Sequence, residues 1–337
     1  MNPLRLGLLS GVLLLTAGCN QSKDVVLYVA LDQEHSSALV RQFEEETGLS
    51  VKARYDTEAN KTVGLVGSLV EEKDRPRADV FWNNELAHTV NLAGKGLFAP
   101  YAAPNGASIP AEWKDGEARW HGFAARARIL IVNRTLLPDP KEWPRSTWDL
   151  VDPKWKGKCG LARPLTGTTL THFAALQELL GEAKFASLLD GIFANDVTLL
   201  QSNGATMKAV SEGRLHWAWT DTDDYYVAIT KGHPVAAVFP DQEDGGLGTM
   251  LLPNSVALVQ GGPNPENGKR LVDWILAERT EALLAAAKSA QIPLRAGVKG
   301  PIDPDILPVG KFRAMAWDVA KTARNLEPAS AAFAKRF

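Results

Sequence analysis

The chain has 337 residues, 37 Lys or Arg against 39 Asp or Glu, and a formal net charge of −2. That balance argues against a nucleic-acid partner, because no basic stripe is available to neutralise phosphates. The length and ordinary globular composition are long for one core and suit two lobes.

The opening MNPLRLGLLSGVLLLTAGC carries one positive charge, Arg5, an apolar run from Leu6 to Leu15, and the small residues Ala17 and Gly18 directly before Cys19. This is the pattern of a cleavable signal ending in a lipobox, with Thr16 where Leu is usual, and it makes Cys19 the lipid attachment point. The run is too short to span roughly 30 Å of hydrocarbon, and no second segment of spanning length follows. Residues 1–18 are therefore expected to be removed and 19–24 to form a lipidated tether in the periplasm or cell envelope. Removal takes away Arg5 and no acid, so the mature charge becomes about −3. Cys159, in KWKGKCGLARP, then has no disulfide partner and reads as a buried strand thiol.

Val25–Ala30 is a short apolar strand, and Ser36–Thr47 carries Leu39, Val40 and Phe43 on one helical face before Gly48. Ser50–Tyr55 alternates like a half-buried strand, Lys61–Glu72 returns to helical spacing, Ala78–Trp82 is a third strand, and a helix is expected from about Leu86 to Ala93. This βαβαβ order predicts an α/β domain with a mostly parallel sheet. HGFAARARILIVN, at 121–133, is one long extended run and a candidate crossover between lobes. A comparable run, TMLLPNSVALVQ at Thr249–Gln260, precedes an expected helix Pro265–Lys288, whose Leu271, Ile275, Leu276 and Leu283 are placed to pack on the first lobe. The expected organisation is lobe 1 from 25–125 plus 255–337 and lobe 2 from 126–254, hinged around a cleft, with a return of the C-terminal tail to lobe 2 left open.

In open α/β sheets, ligands gather at the carboxyl ends of strands and at helix N-termini. After the first strand come Asp32, Gln33, Glu34 and His35; after the third come Asn83, Asn84 and Glu85; after Leu215–Thr220 come Asp221, Thr222, Asp223, Asp224, Tyr225 and Tyr226. Acids and phenols converging there would supply hard oxygen donors for Fe(III), Ca(II), Mg(II) or Mn(II), or hold an organic ammonium group. The plainer alternative is that Asp223 and Asp224 cap a helix starting near Tyr225, with the tyrosines packed beside it. His35 reads more simply as a surface residue at a helix start. Thr166, Gly167, Thr168 and Thr169 precede the apolar helical run Phe173–Leu180, so free backbone N–H groups and hydroxyls there favour an anion or make an ordinary Thr cap. Asn203, before the helix Ala205–Glu212, and Arg126 and Arg128 in the crossover run could complete an anion pocket, although an alternating strand can simply expose its arginines. Trp82 and Asn84, with Trp217 and Trp219, are candidates for a box around an ammonium group, while aromatic strand residues also serve as core.

The succession VVLYVALDQEHSSALVRQFEEETGLSV, RADVFWNNE with LAGKGLFAPY, KWKGK, a TGTT helix start, DYY and QIPLR resembles the periplasmic solute-binding proteins of ABC importers, in their ferric-ion-binding branch, over roughly residues 25–297. The resemblance implies two α/β lobes joined by crossover strands. It also implies Fe(III) held in the cleft by paired tyrosinates, a first-lobe His or carboxylate and often a synergistic anion, then delivered to an inner-membrane permease with its ATPase. Carried over, Asp32 falls at the family's first-lobe His, and Asn84 or Glu85 at its first-lobe Glu. Thr166, Gly167, Thr168 and Asn203 fall at its anion-binding positions. Counting from Asn203 without a gap sets the tyrosine positions on Asp223 and Asp224, and a shift of two sets them on Tyr225 and Tyr226.

The leading expectation is therefore a non-catalytic receptor for Fe(III) or a similar hard cation, with no catalytic cofactor. Its rival keeps the receptor and changes the cargo to an organic ion such as an aminoalkylphosphonate, a polyamine or a thiamine-like cation. An exported enzyme finds no support in a G-x-S-x-G elbow, an H-E-x-x-H pair, a C-x-x-C pair or a properly spaced phosphate loop.

Overall fold

The computed structural model describes residues 24–30, 33–56 and 63–337, without the side chains of Glu34, His35 and Val63. The signal segment, Cys19, Asp32 and the His35 ring lie outside the described residues. Among the described residues, no helix is long and apolar enough to cross a membrane.

The first apolar and alternating runs form β1 (Asp24–Val29), α1 (Gln33–Thr47), β2 (Ser50–Tyr55), α2 (Val63–Glu71), β3 (Val80–Asn83), α3 (Leu86–Gly94) and β4 (Phe98–Ala99). β1 lies between β2 and β3 and is parallel to both, with Val29 opposite Tyr55 and Trp82. The 13 residues of β5 (His121–Asn133) are buried throughout, which is why the sequence there reads as one unbroken extended run. Next come β6 (Cys159–Ala162), α4 (Gly167–Ala194), β7 (Thr198–Leu200), α5 (Asn203–Ser211), β8 (Trp217–Asp221), α6 (Thr222–Thr230) and β9 (Val235–Val238). The chain closes with β10 (Leu251–Val259), α7 (Pro265–Ile275), α8 (Glu278–Ala286) and α9 (Val319–Ala334).

The sheet order is β2-β1-β3-β10-β5-β8-β6-β7, with β4 on β10 and β9 on β5. The first half of β5, His121–Ala127, pairs antiparallel with β10, and its second half, Arg128–Asn133, pairs with β8 and β9. One strand thus belongs to both halves of a two-lobed α/β fold. Its pairing with β10 shifts register between Pro253 and Asn254, beside Ala124 at φ 34°. A bulge there bends the crossover where the lobes meet.

Each lobe has its own apolar centre. In the first, Trp82 meets Phe123 at 5.5 Å between ring centroids and Phe43 meets Trp274 at 5.8 Å. In the second, Trp217 meets Trp155 at 5.8 Å and Phe173 meets Phe185 at 6.2 Å. Trp82 is therefore core, which corrects its place as a ligand-box candidate, and Trp217 and Trp219 are buried in the second centre. Cys159 is a free, buried thiol on β6. The expected helix 265–288 is two helices, because Ala277 leaves helical geometry at ψ 143°. Leu271, Ile275 and Leu276 pack on the first lobe as expected, whereas Leu283 is exposed. α9 lays Leu326, Ala329 and Phe333 on α4, and Asn91 of α3 donates to the Ala323 carbonyl at 2.8 Å.

Candidate ligand site at the lobe junction

Local turn chemistry fixes the first-lobe side. Asn83, the last residue of β3, donates from Nδ2 to the Glu85 carbonyl at 2.7 Å and accepts from the Glu85 N–H at 3.1 Å, an Asx turn that holds Glu85 at the cap of α3. Glu85 is buried, and its Oε2 accepts from Thr171 Oγ1 of α4 at 2.7 Å, a hydrogen bond between lobes. Burial pushes its carboxyl up to about 7, against the opposing pull of Arg126 and the Thr171 hydroxyl.

The second-lobe side is built on β8 and α6. Asp221, the last residue of β8, is buried and accepts from Arg128 Nη1 at 2.7 Å, Thr168 Oγ1 at 2.7 Å and Asn203 Nδ2 at 3.0 Å. Burial opposes its charge, yet the Arg128 and Arg126 guanidiniums hold the carboxyl below the usual range. Asp223 and Asp224 follow in the first turn of α6, where the helix dipole favours negative charge. Thr220 Oγ1 donates to Asp224 Oδ2 at 2.6 Å. Asp221, Asp223 and Asp224 each bring one oxygen to within 4.8 Å of the others.

Arg126 and Arg128 leave the same face of β5, two residues apart, and are buried rather than exposed. Arg126 Nη1 lies 3.4 Å from Asp221 and 3.7 Å from Asp223; its Nη2 donates to the Asn84 carbonyl at 2.8 Å and lies 3.7 Å from Glu85. Arg128 also reaches Thr168 and Thr169, at 3.3 and 3.2 Å. Behind it, the Trp219 ring lies 5.5 Å from the guanidinium, and His172 stacks on Trp219 at 4.3 Å between centroids. Burial, then Arg128, keeps that imidazole neutral.

Of the expected anion-binding residues, Thr168 and Asn203 converge on Asp221, Gly167 makes the turn into α4 at φ 63°, and Thr166 caps the helix without using its hydroxyl for the cap. The tyrosines are not with the acids. α6 starts at Thr222 rather than near Tyr225, so Tyr225 falls on its buried face among Ala127, Ile129 and Ala228. Its hydroxyl meets Asp305 at 3.1 Å, and burial together with Asp303 and Asp305 pushes the phenol upward. Tyr226 is half-buried against the same apolar group. Asn84 takes part through its backbone oxygen. Thr171 and His172 were not singled out by sequence, although both follow the TGTT turn at helical spacing.

Four carboxylates with two guanidiniums, in a crevice formed by both lobes, can hold a hard cation, an anion or the two together.

The sequence profile of the bacterial extracellular solute-binding proteins matches residues 80–323. Among relatives, iron uptake protein A1 of Synechocystis sp. is 26% identical over 325 residues, covering 92% of this chain and 86% of that protein. A putative 2-aminoethylphosphonate-binding periplasmic protein of Salmonella typhimurium is 26% identical over 303 residues, covering 87% and 86%. Among solved structures, iron-bound HitA of Pseudomonas aeruginosa superposes with a TM-score of 0.81 at 26% identity, covering 91% of this chain and 98% of HitA.

Proposed function

Because the chain belongs to the family of bacterial extracellular solute-binding proteins, we propose that it is the receptor of an ABC importer that captures Fe(III) or a similar hard cation and hands it to an inner-membrane permease with its ATPase. The observation that carries this reading is the grouping of Asp221, Asp223 and Asp224, with one oxygen from each within 4.8 Å of the others, opposite Glu85 of the other lobe. Hard cations prefer such oxygen donors, and ligands drawn from both lobes make closure favourable only when cargo is present. The printed names of the Synechocystis and Pseudomonas proteins, which specify iron, support the choice of metal. The cation is cargo, the chain performs no catalysis, and the lobes are taken as 25–125 with 255–337, and 126–254. A lipid on Cys19 would keep the receptor at the membrane that holds its permease.

Carboxylates in place of tyrosinates make the site less selective for ferric iron and leave its iron complex without strong visible colour. Replacing Asp223 and Asp224 together by Ala should weaken ferric binding by at least about 100-fold in calorimetry, as expected when two charged ligands are lost. Unchanged affinity would remove these residues from the site.

One observation favours a second cargo class. Arg126 and Arg128 stand beside the acids, which suits a molecule with both ammonium and phosphonate groups, the class printed for the Salmonella relative. Binding of 2-aminoethylphosphonate in the absence of metal, lost with Asp223→Ala, would favour it over the hard cation.

A further inference from the structure

The Arg126 guanidinium occupies the place where a bound cation would be expected. Its two terminal nitrogens face three carboxylates from both lobes: Asp221 at 3.4 Å, Asp223 at 3.7 Å and Glu85 at 3.7 Å. Arg126, Glu85 and Asp221 are all buried, so water screens little of the charge between them. We propose that Arg126 is a tethered counter-cation that sets the specificity of the site: it opposes a bare cation and admits one that brings a negatively charged partner. This rests on the reading of the acidic crevice as the cargo site.

The two arginines differ in what they hold. Arg128 makes a short 2.7 Å contact to Asp221 and also donates to Thr168 and Thr169, so it is the structural partner that fixes Asp221. Arg126 meets its three carboxylates at distances longer than a close charge-assisted contact, which suits a charge that fills a seat rather than a permanent pair. It also stands on β5, shared by both lobes, so it stays at the junction whether the lobes open or close. A divalent ion entering among Asp221, Asp223 and Asp224 would lie beside this fixed positive charge and be repelled. The same ion carrying phosphate or a carboxylate ligand would offer the guanidinium a partner, and repulsion would become attraction.

The test titrates the purified protein with Mn(II), with and without inorganic phosphate, reading free Mn(II) by electron paramagnetic resonance. Wild type should bind Mn(II) roughly tenfold or more tightly when phosphate is present, and Arg126→Lys should behave in the same way because it keeps the charge. Arg126→Met should bind Mn(II) alone at least about tenfold more tightly than wild type and lose the response to phosphate. A Met variant with no gain, or one that keeps the phosphate response, overturns the proposal. Should that variant not fold, equal Mn(II) affinity of wild type with and without phosphate overturns it instead. Adding Asp223→Ala to the Met variant separates the two readings: a gain that survives places the ion elsewhere and sinks the cargo-site assignment, whereas no gain in a protein that still binds ferric nitrilotriacetate sinks only the role of Arg126.

Discussion

Both oxygens of Asp221 are engaged, Oδ1 by Arg128 and Oδ2 by Thr168 and Asn203. Asp221→Asn would leave Arg128 buried beside an uncharged partner and should lower stability by about 3–5 kcal/mol, read as a fall in the metal-free melting temperature. An unchanged melting temperature would mean that this pair carries little. His121 makes a pH prediction. Burial, then the charge of Lys114, lowers its imidazole to about 4, and burial alone brings His88 to about 4. A depressed folded-state value means that the contribution is fully present above the ordinary value near 6.5 and is lost as pH falls toward 4. His121 alone should account for a loss on the order of 3 kcal/mol across that window. His121→Gln should flatten the slope of stability against pH there, and an unaltered slope would show that His121 is not responsible. Burial also pushes the Cys159 thiol up to about 12, so a disulfide reagent should label it only as fast as the native protein unfolds. At this scale the acids were legible because they follow strand ends. The Glu85–Thr171 hydrogen bond was not, because it joins residues 86 apart in sequence and from different lobes.

Long elements were legible where burial is uniform and ambiguous where a break depends on one backbone angle. β5 spans the same 13 residues as the apolar run, because a strand buried on both faces has no alternation to blur its ends. α6 starting at Thr222 rather than near Tyr225 rotates the tyrosines off the site, and a shift of a few residues is the ordinary uncertainty of a helix start. α4 bends at Gly181, which adopts φ 72° and ψ 165°. An added Cβ at Gly181 would meet nothing within 4 Å, so Gly181→Ala should cost only the backbone strain, about 1–2 kcal/mol, without changing cargo affinity. A larger loss would mean that α4 cannot keep its bend and that the first turn, with Thr168 and Thr171, is displaced.

At the scale of the whole molecule, two lobes share β5, the register shift at Pro253–Asn254 bends the crossover, and α9 contacts both α4 and α3. Phe333 is buried against α4, and Phe333→Ala should lower stability by about 3–5 kcal/mol. Two lobes with a crossover could be read from the order of elements, since βαβ units and two long apolar strands leave few topologies. Which lobe the last helix joins could not, because α9 depends on contacts with elements far away in sequence. The measurement closest to the central claim is a calorimetric titration of metal-stripped protein with ferric nitrilotriacetate, recording visible absorbance in the same cell. The carboxylate–arginine site predicts saturable binding of one iron per chain without a strong tyrosinate band, lost in Asp223→Ala with Asp224→Ala. An intense tyrosinate band, or no saturable heat, would contradict it.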